Sequence, residues 1–515
     1  MDIGFGFIEQ AQRRIRESTA LAPGEHAPTL PGLQRLSSAR ASLPDAAATG
    51  YLSGLGPAAT FDHLMKDIVP ALNGENLTGR YWGFVIGSTL PIAEVADNIV
   101  SAYDQNVQVH LPDQTIATEV EDAALKMLLR LLRLGEPEDW EGRTFTTGAT
   151  ASNILGLACG REAIVGSRLP VGSPSVGELG LLRACVKAGI EEVQVLTSMG
   201  HSSLSKAASV VGLGRASVKH LPYSDAEPWR LDMDAVEQEL QRQNVASIIA
   251  VSAGEVNTGR FATTGLEDMK RLRSLADRYK AWIHVDGAFG VFARVLPEKE
   301  EYASLHKACA GLELCDSLTI DGHKLLNVPY DTGVFFTRKS SAQTAVFQNP
   351  NAAYLSSGSA SQIQSPLNIG LENSRRFRAL PVYAVLRSEG REGLAKMMEK
   401  MVVTARAIAR TIQSCEDYML LPDAGPEPLS IEDGIHIVVL FRAKDDALNG
   451  TLVQRINEGN EWYVSGTSWG GKPAVRVAVS SWRADRDDAV NVVKRSLLAI
   501  SQAHRQSLSR DTPNI

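Results

Sequence analysis

The sequence predicts an α/β fold with a mainly parallel sheet, and three observations carry that prediction. Six short apolar runs follow one another: Val193–Thr197, Val218–Leu221, Ser247–Ser252, Trp282–Val285, Ser317–Ile320 and Gly333–Thr337. Helical spacing of apolar residues lies between most of them, at Ser152–Val165, Ser202–Val211, Met233–Arg242 and Gly265–Tyr279. Runs that are apolar throughout, rather than alternating, are strands buried on both faces, as in a parallel sheet covered by helices. The polar motifs fall at strand ends or helix starts, which is where such sheets bind ligands.

The flanks read differently. Phe5, Ile8 and Ile15 set against Arg13, Arg14 and Arg16 suggest a short amphipathic helix, and the Pro-, Gly-, Ala- and Ser-rich stretch from Ala20 to Pro57 predicts an extended arm. Phe61–Leu72, Pro91–Tyr103 and Thr118–Leu134 have helical spacing. The last opens with acids and closes with arginines before Gly135, which suits the helix dipole and a glycine stop. Ser341–Asn373, rich in Ser, Ala, Asn and Gln, is a long irregular segment of the kind that forms functional loops. Long helical patterns run from Ser374 to about Cys415. A strand candidate at Ile435–Phe441, a helix near Leu448–Glu458, strand candidates at Trp462–Thr467 and Ala474–Ser480, and a helix from Asp485 then predict a smaller α+β domain. The expected division is an N-terminal arm and helical segment (1–108), a large domain (109–380) and a small C-terminal domain (381–515).

Composition narrows the class of function. The chain has 515 residues, 44% hydrophobic and 22% charged, with a net charge of −7. No basic tract suggests nucleic acid. No run approaches the roughly 18 apolar residues of a membrane-spanning helix, so neither nucleic acid nor membrane is an expected partner. The N-terminus lacks a secretory pattern, and five cysteines without a CxxC read as free thiols, so a cytoplasmic location is expected.

Four features carry chemistry. Phe145-Thr-Thr-Gly-Ala-Thr150-Ala151-Ser152-Asn153 leads into a helix whose small residues leave amides open to a phosphate, unless Ser152 is a plain cap. His201 opens a second helix, and its imidazole either packs structurally or stacks on a flat ring. Asp286 ends the strand Trp282-Ile-His-Val-Asp, where a carboxylate needs an arginine, a metal or a protonated ring nitrogen as partner. His284 lies on the same side of that strand, but no third ligand suggests itself and no metal is expected. Lys324 follows Asp321-Gly-His323 at another strand end; alone it reads as a surface lysine, and in a cleft as a Schiff-base lysine. A phosphate cradle, a stacking histidine, an aspartate for a pyridinium nitrogen and a Schiff-base lysine are together what pyridoxal 5'-phosphate requires.

The motifs TTGATASN, GHSSLSKA, AGEVNTG, HVDGAFG, DSLTIDGHKLLNVPYDTG and SRRFRALPVYAVLR resemble the group II pyridoxal-phosphate-dependent amino-acid decarboxylases, which act on aromatic amino acids, glutamate, histidine, diaminobutyrate and cysteine sulfinate. The resemblance spans about Phe61 to the last helix. It implies the fold-type I architecture and a homodimer with shared active sites, and a small-molecule amino acid as substrate. Lys324 would carry the cofactor with His323 beside it. Asp286 would hold the pyridine nitrogen protonated, and His201 would stack on the ring and act in proton transfer. Thr150, Ala151 and Ser152 would bind the phosphate. Phe84, Gly87, Ser88 and Thr89 would line the substrate pocket, and Val107, Val109 and His110 would reach the partner's site. The aromatic and aliphatic residues Tyr81, Trp82, Phe84, Val107 and Val109 favour an aromatic or apolar amino acid, decarboxylated to its amine. One departure stands out: aromatic-amino-acid decarboxylases of the family carry a loop tyrosine that helps protonate Cα, and the matching Gln364–Gly370 has none, with Tyr354 upstream. Other chemistry at Cα therefore stands as the alternative (aldehyde synthase, C–C lyase or aminotransferase), and an inactive cofactor-binding regulatory protein as a third reading.

Overall fold

The computed structural model describes residues 5–21, 25–350, 363–422 and 431–510. Among the described residues twelve strands form two sheets. In chain order they are β1 (Tyr81–Trp82), β2 (Gly142–Thr146), β3 (Glu192–Thr197), β4 (Val218–His220), β5 (Val245–Ser252), β6 (Trp282–Asp286), β7 (Ser317–Asp321), β8 (Gly333–Thr337), β9 (Tyr418–Leu421), β10 (Val438–Ala443), β11 (Tyr463–Trp469) and β12 (Lys472–Ala478).

The large sheet has the order β2-β8-β7-β6-β5-β3-β4. Its pairs are parallel except the two made by β8, which alone runs opposite to the rest. All six apolar runs of the sequence are strands of this sheet. Their two faces explain the lack of alternation. Ile248 and Trp282 pack beneath helix Ala149–Gly166 with Leu155, Leu157 and Ile164. Their neighbours Ile249 and Ile283 face the opposite core, with Met269, Leu272 and Leu275 of helix Leu266–Tyr279.

The smaller sheet has the order β1-β11-β12-β10-β9. It is antiparallel except at its edge, where β1 pairs in parallel with β11 through Tyr81↔Tyr463 and Trp82↔Val464. A short piece from early in the chain thus completes the smaller sheet and carries the following residues, Gly83 to Thr89, past the turn that follows β7.

Three expectations need correction. The arm contains a helix, Leu33–Ser42, because Leu, Gln, Arg and Ala between Gly32 and Pro44 are good helix formers despite the composition around them. The irregular segment opens with a helix, Ser340–Phe347, and closes with a 3-10 turn at Pro366–Asn368; its centre, with Tyr354, lies outside the described residues. Strands β1, β2 and β9 were not legible: β1 and β9 have only two and four residues, and β2 (Gly-Arg-Thr-Phe-Thr) is only partly apolar.

Candidate active site

Asp286, Asp321 and Ser252 all end strands of the large sheet, and the register levels Ser252 with Asp286. These carboxyl ends, with the start of helix Ala149–Gly166, enclose a cavity of about 360 Å³. Lys324, His201, His323, Phe84, Thr150 and Ala151 line it.

The helix start is open by construction. Its cap is Gly148, which has no side chain to satisfy the first amides. Gly148 adopts φ +149, and a Cβ there would sit 3.2 Å from the His323 ring, so glycine serves both the turn and the close approach. The Ala149 amide donates to Asp321 Oδ1 at 2.6 Å, which leaves the Thr150 and Ala151 amides for a ligand. Ser152 belongs elsewhere. Its amide already donates to Gly148 O, and its hydroxyl is buried between Thr146 Oγ1 (2.7 Å) and Val334 O (3.1 Å).

Lys324 Nζ lies 2.8 Å from Asp321 Oδ2 and 5.8 Å from the centroid of Phe289. His323 accepts the Thr332 amide on Nδ1 at 3.1 Å, and its other face meets the Tyr330 ring, with centroids 4.6 Å apart. Burial pushes the His323 pKa below the ordinary histidine value. His201 caps its helix by accepting the Ser203 amide on Nδ1. The desolvating surroundings lower its pKa, against the raising pull of Asp286.

Asp286 accepts from Asn153 Nδ2 at 2.9 Å and from the Ala288 amide at 3.2 Å. His284 is bonded to Asn153 Oδ1 (3.0 Å) and Ser317 Oγ (2.8 Å). Complete burial holds its pKa down at about 4.

The wall segment crosses the lysine turn. The Gly87 amide donates to His323 O at 3.2 Å, and a Cβ on Gly87 would lie 2.0 Å from Lys324 O. Of the four expected pocket residues, only Phe84 lines the cavity. Gly87 faces backbone, Ser88 is buried against Ser481 Oγ (2.7 Å), and the Thr89 amide donates to Asn76 Oδ1 (2.8 Å). Val107 and His110 are buried against this chain's own Arg375 O and Ser365 Oγ.

Sequence reading missed several cavity residues. Arg476 on β12 is buried and lines the cavity from the small sheet, donating to Val256 O (2.8 Å), Gly83 O (2.7 Å) and Ser465 Oγ (3.2 Å). Nothing local marks it, since it is one arginine in an apolar strand. Val256, Phe289, Ser252 and Asp321 also line the cavity. Asp321 was legible only as the residue before Gly322-His323.

A cavity at the carboxyl ends of such a sheet, with a lysine, an anchored carboxylate and an uncapped helix start, defines the fold-type I class of pyridoxal-phosphate enzyme. Residues 92–428 match the family model described as the pyridoxal-dependent decarboxylase conserved domain, and the chain belongs to that family. The family's cofactor is pyridoxal phosphate, and the chain is a carboxy-lyase acting on an amino acid. It is 26% identical to the L-2,4-diaminobutyrate decarboxylase of Acinetobacter baumannii, over 72% of this chain and 68% of that one. It is 23% identical to tryptophan decarboxylase 1 of Oryza sativa subsp. japonica, over 82% and 81%. The crystal structure of Oryza sativa TDC with PLP and tryptamine superposes with a TM-score of 0.78 at 18% identity, covering 98% of this chain and 99% of that one.

Proposed function

We propose that this enzyme decarboxylates an L-amino acid with an aromatic or apolar side chain, releasing CO2 and the amine. The observation that carries the reading is the convergence of Lys324, Asp286, His201 and the Gly148–Ala151 helix start on one cavity. The bound cofactor supplies an electron sink for the bond broken at Cα. The Thr150 and Ala151 amides, at the positive end of an 18-residue helix, would hold its phosphate. Asp286 would keep a proton on its ring nitrogen, and Lys324 would hold its aldehyde. His201, kept neutral, would lie against the ring without adding a charge.

Phe84, Val85, Val256 and Phe289 give the remaining space apolar walls, which supports an aromatic or aliphatic substrate. Arg476 offers a guanidinium to the substrate carboxylate. Because Gln364–Gly370 has no tyrosine, return of a proton to Cα falls among the described cavity residues to Lys324, His201 and His323.

Lys324→Ala tests the core of the reading: turnover and the visible absorbance of the lysine-bound cofactor should both disappear. The purified enzyme should be screened against the proteinogenic amino acids, following CO2 and amine together. A product that keeps its carboxylate would sink the decarboxylase assignment, and CO2 released with an aldehyde in place of the amine would replace amine formation with the aldehyde-synthase reaction.

We further propose a cytoplasmic homodimer. Leu33, Leu52, Tyr103 and Ile116 expose 84%, 90%, 74% and 70% of their surface along the N-terminal third, an apolar load that a second subunit would cover. The five cysteines are all unpaired.

A further inference from the structure

Asp286 and His201 are held by one hydrogen-bond network that runs beneath the cavity, and Asn153 is its junction. Its Nδ2 donates both to Asp286 Oδ2 (2.9 Å) and to Ser203 Oγ (3.1 Å). Ser203 Oγ lies 2.8 Å from His201 Nδ1, which is already the acceptor of the Ser203 amide. On the other side, Asn153 Oδ1 faces His284 Nε2 at 3.0 Å. His284 Nδ1 faces Ser317 Oγ at 2.8 Å, and Ser317 Oγ accepts from Trp282 Nε1 at 2.9 Å.

With His284 neutral, the Asp286 end fixes the protons along the network. Trp282 Nε1 can only donate, and an ionised Asp286 can only accept. Asn153 must therefore turn its NH2 to Asp286 and its carbonyl to His284. His284 carries its proton on Nε2, and Ser317 donates to the bare Nδ1. A rotated Asn153 amide would set oxygen against carboxylate and NH2 against imidazole N–H, so His284 holds it in register. All of these inner residues are buried. Helix Ala149–Gly166 supplies both the junction and its fit: a Cβ at Gly156, one turn after Asn153, would sit 2.2 Å from the His284 ring.

We infer that Asn153, locked by His284 and Ser317, is a positioning residue that aims the Asp286 carboxylate at the cofactor's ring nitrogen and ties it to His201 through Ser203. The inference rests on the proposed placement of the cofactor between Asp286 and His201. Asn153 touches no cavity space itself and acts through Asp286.

A double-mutant cycle on cofactor affinity of the full-length chain decides it. Asn153→Ala should weaken pyridoxal phosphate binding by about ten- to a hundredfold, the size expected for losing a hydrogen bond to a charged group. Ser317→Ala, which lies outside the cavity, should act in the same direction by a smaller factor, and it serves if Asn153→Ala does not fold. In an Asp286→Ala background both substitutions should have no further effect. A role in packing alone gives losses that add to Asp286→Ala, and that result, or affinity within twofold of wild type for both single variants, overturns the inference. Failure of the wild-type chain to bind pyridoxal phosphate would instead overturn the proposed function.

Discussion

Gly87 shows how much a single residue decides here. It lies where the wall segment crosses the lysine turn, and a methyl group would meet Lys324 O at 2.0 Å. Gly87→Ala should cost about 1–3 kcal/mol, as overpacking of a tight contact does. It should also displace the carbonyls of His323 and Lys324 and weaken cofactor binding. Thermal melting and a cofactor titration check this, and a variant that melts and binds like wild type would refute the close crossing. The sequence pointed to this glycine as a pocket residue; in the structure it faces the Lys324 backbone instead. A like correction holds for Ser152, which the motif placed on a phosphate and the fold places one turn inside the helix, bonded to Val334 O. A motif names a helix start, but which amides stay free depends on where the first turn closes.

Among the elements, helix Ala149–Gly166 does most to build the site. It supplies the open amides, the Asn153 junction and the notch for His284. Its depth against the sheet depends on Gly333 of β8, where a Cβ would lie 2.5 Å from both Gly148 Cα and Thr146 Oγ1. Both contacts are with atoms of the β2-to-helix turn. Gly333→Ala should therefore push the helix start outward, costing about 1–3 kcal/mol by overpacking and weakening affinity for pyridoxal phosphate more than for pyridoxal. Comparing the two ligands by titration is the check; an equal loss for both would mean the phosphate end is not what moves. The helix and β8 were both legible from apolar spacing. Their contact was not, because residues 148 and 333 are far apart in sequence and glycine carries no pattern.

At the scale of the whole molecule, buried imidazoles set the response to acid. His284 is held down at about 4 and His436 at about 3, each first by burial. Neither ring nitrogen of His436 has a hydrogen-bond partner among the described residues. Below the ordinary value near 6.5, the unfolded chain takes up protons on both rings while the folded chain does not. Their stabilisation is thus present above pH 6.5 and lost as pH falls toward 4, by roughly 3 kcal/mol for each imidazole. Urea denaturation at several pH values between 7.5 and 4.5 should show this fall, with a shallower slope for His436→Leu. A flat profile across that window would rule out buried neutral imidazoles.

The sequence by itself marked six of the seven strands of the large sheet, the helices between them and the four chemical groups at its edge. Continuous apolar runs report burial on both faces, and strand ends are where polar groups collect, so both are local properties. Tertiary structure alone decided which residues line the cavity and which support it from behind. Arg476 arrives from the small sheet, Phe84 and Gly87 from a segment that leaves that sheet's edge, and Asn153 meets Asp286 across 133 residues of chain. Such meetings depend on strand order and helix depth, which no local pattern encodes.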